Sequence, residues 1–225
     1  MATAFTTDPG DAASYAERVA RHVPGLHDLH RMAGLLLAEH VPEDGRVLVL
    51  GAGGGLELRA FAREHPGWRF EGVDPSPAMI AQARQILGEQ GGRVTWRQGY
   101  IDDAPDGPFD GAACLLTMHF LAREERQHTL RALHRRLGQG APFVLAHHSF
   151  PLENGQQELW LGRNAAWLIA AGVPEAQAIG GMSTMRERLP VLAPEEEEHL
   201  LHAAGFRDVQ LFFAALTFKG WIARA

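Results

Sequence analysis

Val47-Leu48-Val49-Leu50 runs straight into Gly51-Ala52-Gly53-Gly54-Gly55, and Leu56 to His65 then follows with helical spacing. A strand apolar at every position is buried on both faces, which requires a sheet covered by helices on each side. Glycines placed directly after it let the backbone turn sharply at positive φ and let a ligand lie against the loop at the positive end of the next helix. From Arg46 onward short apolar runs alternate with amphipathic segments, the order of an α/β fold with a mostly parallel sheet.

The predicted strands are 47–50, 68–73, 94–98, 109–116 and 142–147, with helices at 56–65, 76–89, 123–137 and 194–204. Ser76 caps the second of these helices and Pro77 occupies its first position. Phe206 to Phe213 and Leu216 to Ala223 leave no room for a helix between them, so they form an antiparallel hairpin. Two pieces lie outside the alternation. Residues 11–41 read as two helices broken at Pro24-Gly25, and 151–192 as a helical insertion at the carboxyl end of the sheet, where open α/β folds bind ligands. Both are placed to cover a site, as lids on one domain spanning 1–225.

The second chemical feature is Asp74, 23 residues after Gly51 and at the end of the second strand. A carboxylate there accepts hydrogen bonds from both ribose hydroxyls of a nucleoside, so loop and acid together point to an adenosine-containing cofactor. Gly51, Gly53 and Gly55 follow Gly-x-Gly-x-Gly, whereas a dinucleotide fingerprint places glycine or alanine where this chain has Leu56. Nicotinamide therefore ranks second. No Gly-Lys-Ser or Gly-Lys-Thr follows, and the one lysine is Lys219, which excludes a P-loop.

These residues resemble the class I S-adenosylmethionine-dependent methyltransferases, through Val47–Gly55, Phe70–Ile80 and the terminal Ala204-Gly205-Phe206 with its hairpin. The resemblance implies a Rossmann-like seven-stranded sheet, mostly parallel, with an antiparallel last strand and helices on both faces. It implies S-adenosylmethionine as cofactor and S-adenosylhomocysteine as product. Carried over by position, Gly51, Ala52 and Gly53 border the methionine portion, Asp74 and Pro75 the ribose and adenine, and Gly55, Met79, Tyr100, Ile101 and Leu115 complete the cofactor site. Within the class the chain looks most like the carboxy-S-adenosylmethionine synthases of tRNA wobble-uridine modification, through His22–Gly25, Ser76–Ile80, Glu125–Gln127 and Leu201–Phe206. It departs from them at Leu26, at Leu115 and near Ser183, where that group uses a tyrosine, an asparagine and a carboxylate-holding arginine; Arg186 is the nearest substitute. It also departs from the wider class at Val49, where an acidic residue is usual.

Methyl transfer from a sulfonium is an in-line displacement that depends on alignment and exclusion of water. Where the acceptor is a hydroxyl or ammonium, a base is needed, and the histidines at the carboxyl ends of strands four and five, His119 and His148, are the candidate catalytic residues. Strand alternation is expected to turn only one of His147 and His148 inward. The run Glu195–Glu198 reads as negative charge at a helix start. No histidine stands in a metal-ligand frame, so no metal is expected. Trp160, Leu161, Trp167, Leu168 and Ile169 form an apolar stripe that lines an acceptor pocket, buries against a second copy in a homodimer, or fills the core.

Composition narrows the partners. With 21 basic against 27 acidic residues the net charge is -6, which argues against a nucleic-acid acceptor and for a small molecule. A single cysteine, Cys114, precludes a disulfide framework within the chain and suits the cytoplasm. The opening residues lack a targeting pattern, and no window reaches the length of a membrane span. Three readings follow: a methyltransferase for a small molecule, a carboxy-cofactor synthase, and a cofactor-binding protein without turnover.

Overall fold

A computed structural model describes residues 12–225; the opening residues scanned for a targeting pattern, and residue 11 at the start of the first lid, lie outside the described residues. The elements alternate as the sequence requires: α1 (Ala12–His22), α2 (Leu26–Ala38), β1 (Arg46–Leu50), α3 (Leu56–Glu64), β2 (Arg69–Asp74), α4 (Pro77–Leu87), β3 (Val94–Gln98), β4 (Gly111–Leu115), α5 (Arg123–Arg136), β5 (Pro142–His148), α6 (Gln156–Ala170), α7 (Glu175–Arg188), α8 (Pro194–Ala204), β6 (Arg207–Ala215) and β7 (Phe218–Arg224). The sheet has seven strands in the order β3-β2-β1-β4-β5-β7-β6. β1 pairs in parallel with β2 and β4, and β7 runs antiparallel between β5 and β6.

The order reverses beside β1, so the loop after β1 opens at the switch point of the sheet. Alternation along β1 sends Val47 and Val49 to one face, against Leu37 and Phe61, and Leu48 and Leu50 to the other, against Leu133 and Leu201. Each such aliphatic or aromatic side chain contributes about 1.5–3 kcal/mol when fully buried, and both faces are filled this way. That two-sided burial holds the carboxyl edge rigid.

Several boundaries shift by one or two residues from the sequence reading, and two of the shifts have a plain local cause. α4 ends at Leu87 because Gly88, at φ 52°, leaves the helix for a 3-10 turn over Gly88–Arg93. β4 begins only at Gly111; Phe109 makes a single bridge to Leu137 and otherwise packs as a core side chain. Residues 151–192 fold as the helix pair α6 and α7, with Ala165, Leu168, Val173 and Ala178 forming a small core of their own. The apolar stripe divides. Leu161 and Leu168 are buried, Trp167 and Ile169 are exposed, and the Trp167 indole N–H donates to the Arg21 carbonyl at 2.9 Å, tying the insertion to α1. Trp160 is half-buried, with Arg163 and Lys219 over its ring. No helix among the described residues is long and apolar enough to cross a membrane.

Candidate active site

All five N–H groups of the glycine loop are bonded within the protein, four of them to residues outside the loop. Gly51 and Ala52 donate to the Val73 carbonyl, Gly54 to Met79 and Gly55 to Ala52, while Gly53 N–H donates to Oδ2 of Asp74 at 2.8 Å. Gly51 needs its φ of 73°, and a Cβ there would overlap Thr117; at Gly53 a Cβ would overlap Asp74 and the Cβ of Met79. Gly51, Ala52, Gly53, Gly55, Asp74 and Met79 therefore meet at one point.

Asp74 is nearly buried, and its Oδ1 accepts the Ser76 N–H at 2.8 Å. Burial raises its pKa, and the two backbone N–H bonds oppose that shift. A carboxylate offers about four lone-pair positions. Two are used here, one on each oxygen, which leaves one on each for a vicinal diol such as a ribose.

The remaining predicted residues occupy the same edge in different ways. Pro75 is exposed beside Asp74, and Gly99 N–H donates to the Asp74 carbonyl, which brings Tyr100, 54% exposed, alongside. Ile101 and Leu115 are buried in the core, on opposite faces of the sheet. Thr117, packed on Gly51, links the loop to His119 two residues on.

Both histidines at the end of β5 are buried, contrary to the expectation that one faces outward. Alternation does send them to opposite faces, but β5 lies inside the sheet and both of its faces are covered. His147 lies 2.9 Å from Oε1 of Glu197, out of line for a hydrogen bond, while Nδ1 of His148 bonds Thr217 Oγ1 at 3.0 Å. Thr217 donates onward to Asn164 of α6 at 3.1 Å. His119 is also buried, its Nδ1 accepting the His148 backbone N–H at 3.4 Å, with the two rings 4.9 Å apart. These bonds fix opposite tautomers: the proton of His119 sits on Nε2, and that of His148 on Nδ1.

Burial is the main cause that pushes His119 well below the ordinary imidazole range, with the neighbouring histidines adding to it, and it lowers His148 and His30 to about 3. Below pH 6.5 the unfolded chain therefore binds protons at three histidines that the folded chain leaves neutral. Glu57, raised by burial to about 8, opposes this with one proton held only in the folded state down to the ordinary carboxylate range. The net sign is a loss of stability as pH falls. The melting temperature is expected to drop between pH 7 and 5; a flat profile would mean that these rings touch water.

Sequence reasoning missed four positions. Tyr15 of α1 lies against Gly54 so closely that a Cβ there would overlap its hydroxyl, and burial raises its pKa to about 12. Glu57, the second residue of α3, is buried. Arg126 and Glu197 form a buried ion pair beside His147, so Glu197 does not share the solvated helix-start role read for its neighbours. A signal existed for that pair: Glu197 lies on the stripe of Leu200, Leu201 and Ala204, and Arg126 on that of Leu130, Leu133 and Leu137.

The loop's chemistry separates the two nucleotide cofactors. A pyrophosphate needs free N–H donors at the helix start, but the five loop donors are used internally and a carboxylate, Glu57, stands in the first turn of α3. The site suits a cofactor with a ribose diol and positive charge instead. Residues 47–140 match the family described as methyltransferase domain. Together with the fold and the site, this match supports a class I S-adenosylmethionine-dependent methyltransferase.

Among its relatives are the carboxy-S-adenosyl-L-methionine synthases of Chromohalobacter salexigens, 29% identical over 97% of this chain and 83% of that protein, and of Erwinia tasmaniensis, 26% identical over 97% and 91%. Similar solved structures include a putative O-methyltransferase from Nostoc punctiforme, with a TM-score of 0.65 at 18% identity over 87% of this chain. Human N-acetylserotonin methyltransferase in complex with SAM has a TM-score of 0.59 at 16% identity over 98% of this chain. The chain spans 55% and 60% of those two solved chains, and the likeness to them is one of fold.

Proposed function

We propose that this methyltransferase is a cytoplasmic enzyme that transfers the methyl group of S-adenosylmethionine to a small molecule held between the sheet edge and the covering helices. The observation that supports this reading best is the join between the lids: Trp167 of the insertion bonds α1, and Tyr15 of α1 rests on the glycine loop. A site roofed in this way admits a small acceptor and excludes water, and the net charge of -6 disfavours a polyanion.

Gly51, Ala52, Gly53 and Gly55 shape the cradle, Asp74 takes the ribose diol, and Pro75, Met79, Tyr100, Ile101 and Leu115 enclose the nucleoside. The cofactor supplies an electrophilic methyl group when bound. His119 presents Nε2–H as a donor that orients an acceptor oxygen, and His148 keeps a lone pair on Nε2 that can take the acceptor's proton. Because burial makes both rings weak bases, positioning and desolvation carry most of the rate.

The test is an acceptor screen that reads S-adenosylhomocysteine. Once an acceptor is found, His119→Ala is expected to lower kcat by about 10²-fold while leaving cofactor affinity unchanged, and equal losses in both would make the ring a structural support.

The carboxy-cofactor synthase reading draws on the two relatives named above, at 29% and 26% identity. It asks for a cation near the methyl carbon. Arg186, the substitute for the missing arginine, is paired with Glu158 at 2.5 Å on the exposed side of the helix pair, and Ser183 bonds Glu187. Native mass spectrometry of freshly purified protein separates the readings: a ligand heavier than S-adenosylmethionine by one carboxylate supports the synthase.

A further inference from the structure

Glu57 is a buried carboxylate with no ion pair and no hydrogen bond from another residue among the described residues; the donor that reaches it is its own backbone N–H in the first turn of α3. The titratable groups that feel its charge are Tyr15 from α1, Asp74 from β2 and Cys114 from β4. Tyr15 packs on Gly54, Asp74 bonds Gly53, and Glu57 is buried two residues after Gly55, so the acid lies at the exit of the glycine loop and not on a solvated helix face. None of Tyr15, Asp74 and Cys114 is a cation. A buried carboxyl left without one is held in its neutral form, and a ligand that brings a positive charge lets it ionise.

We propose that Glu57 receives the ammonium group of the cofactor's methionyl portion, a role that rests on the methyltransferase reading above. β1 offers no carboxylate for it, since Val49 is apolar and packed in the core. Asp74, in the reading above, keeps its two remaining lone pairs for the ribose. Of the acids beside the loop, Glu57 is the one left for the cofactor's amine. The loss of an acid at Val49 and the presence of one at the head of α3 are thus two halves of one arrangement: the countercharge has moved from the strand that precedes the loop to the helix that follows it.

Three ligands test this by calorimetry on the full chain and on Glu57→Gln. S-adenosylmethionine carries both a sulfonium and the ammonium, S-adenosylhomocysteine the ammonium alone, and 5′-methylthioadenosine neither. Glu57→Gln should weaken the first two by about tenfold or more, the range for a hydrogen bond to a charged group, and leave the third unchanged. Its melting temperature at pH 7 should not fall, because glutamine replaces a carboxyl that is neutral without ligand, at constant shape.

Weakening of S-adenosylmethionine alone would assign Glu57 to the sulfonium and overturn the proposal, as would equal weakening of all three or of none. If the unaltered protein bound neither S-adenosylmethionine nor S-adenosylhomocysteine, the cofactor reading itself would fail. Should Glu57→Gln not fold, the unaltered protein still answers. Glu57 is protonated at pH 7 and the ammonium would ionise it, so binding should release close to about one proton per cofactor in buffers of different ionisation enthalpy. Binding without proton release would refute the assignment.

Discussion

Glu197→Ala is expected to lower the unfolding free energy by about 3–5 kcal/mol, the cost of leaving a buried charge without its partner. Arg126, Glu197 and His147 are each 0% exposed, and the guanidinium also donates to the carbonyls of Leu121 and Pro190. Removing the carboxylate strands a cation between α5 and α8, where no water reaches it. Urea denaturation measures the loss, and a change below about 1 kcal/mol would show that solvent enters when the acid is absent. The double replacement Arg126→Met with Glu197→Leu should recover most of the loss, since apolar pairs of similar volume often match or exceed a buried ion pair.

Asp74→Ala is expected to weaken cofactor binding by about 1.5–3 kcal/mol, as for hydrogen bonds to a charged acceptor. The structure adds a second consequence. The same carboxylate holds the N–H groups of Gly53 and Ser76, so the variant also loosens the join between the glycine loop and α4 and should melt at a lower temperature. Titration calorimetry and a thermal melt separate the two effects, and unchanged affinity would remove the ribose assignment.

The strand, loop and helix order was legible because it depends on local patterns: a continuous apolar run, glycines at its end, a serine cap and a proline at the head of α4. Asp74 was legible for the same reason, since its place is set by counting from the loop. What escaped depends on partners distant in sequence. Glu57 sits on a short helix whose burial is decided by α1 and β4, and nothing near residue 57 indicates this. Glu197 looked like one of four similar residues, and its difference lies in Arg126, 71 positions earlier. The expectation for His147 and His148 failed for a related reason: alternation was read correctly, but whether a strand's second face is covered depends on elements that the strand does not encode.

The placement of β7 carries a consequence for how the chain is made. Because β7 lies between β5 and β6, the edge of β5 stays open until residues 218–224 have left the ribosome, although β1, β2, β4 and β5 are complete some 70 residues earlier. During that interval the nascent chain presents a row of unpaired N–H and C=O groups next to His147 and His148, a template for pairing with another chain. Synthesis that pauses within α6 to β6 would prolong that exposure, so the translation rate over this stretch becomes a determinant of yield.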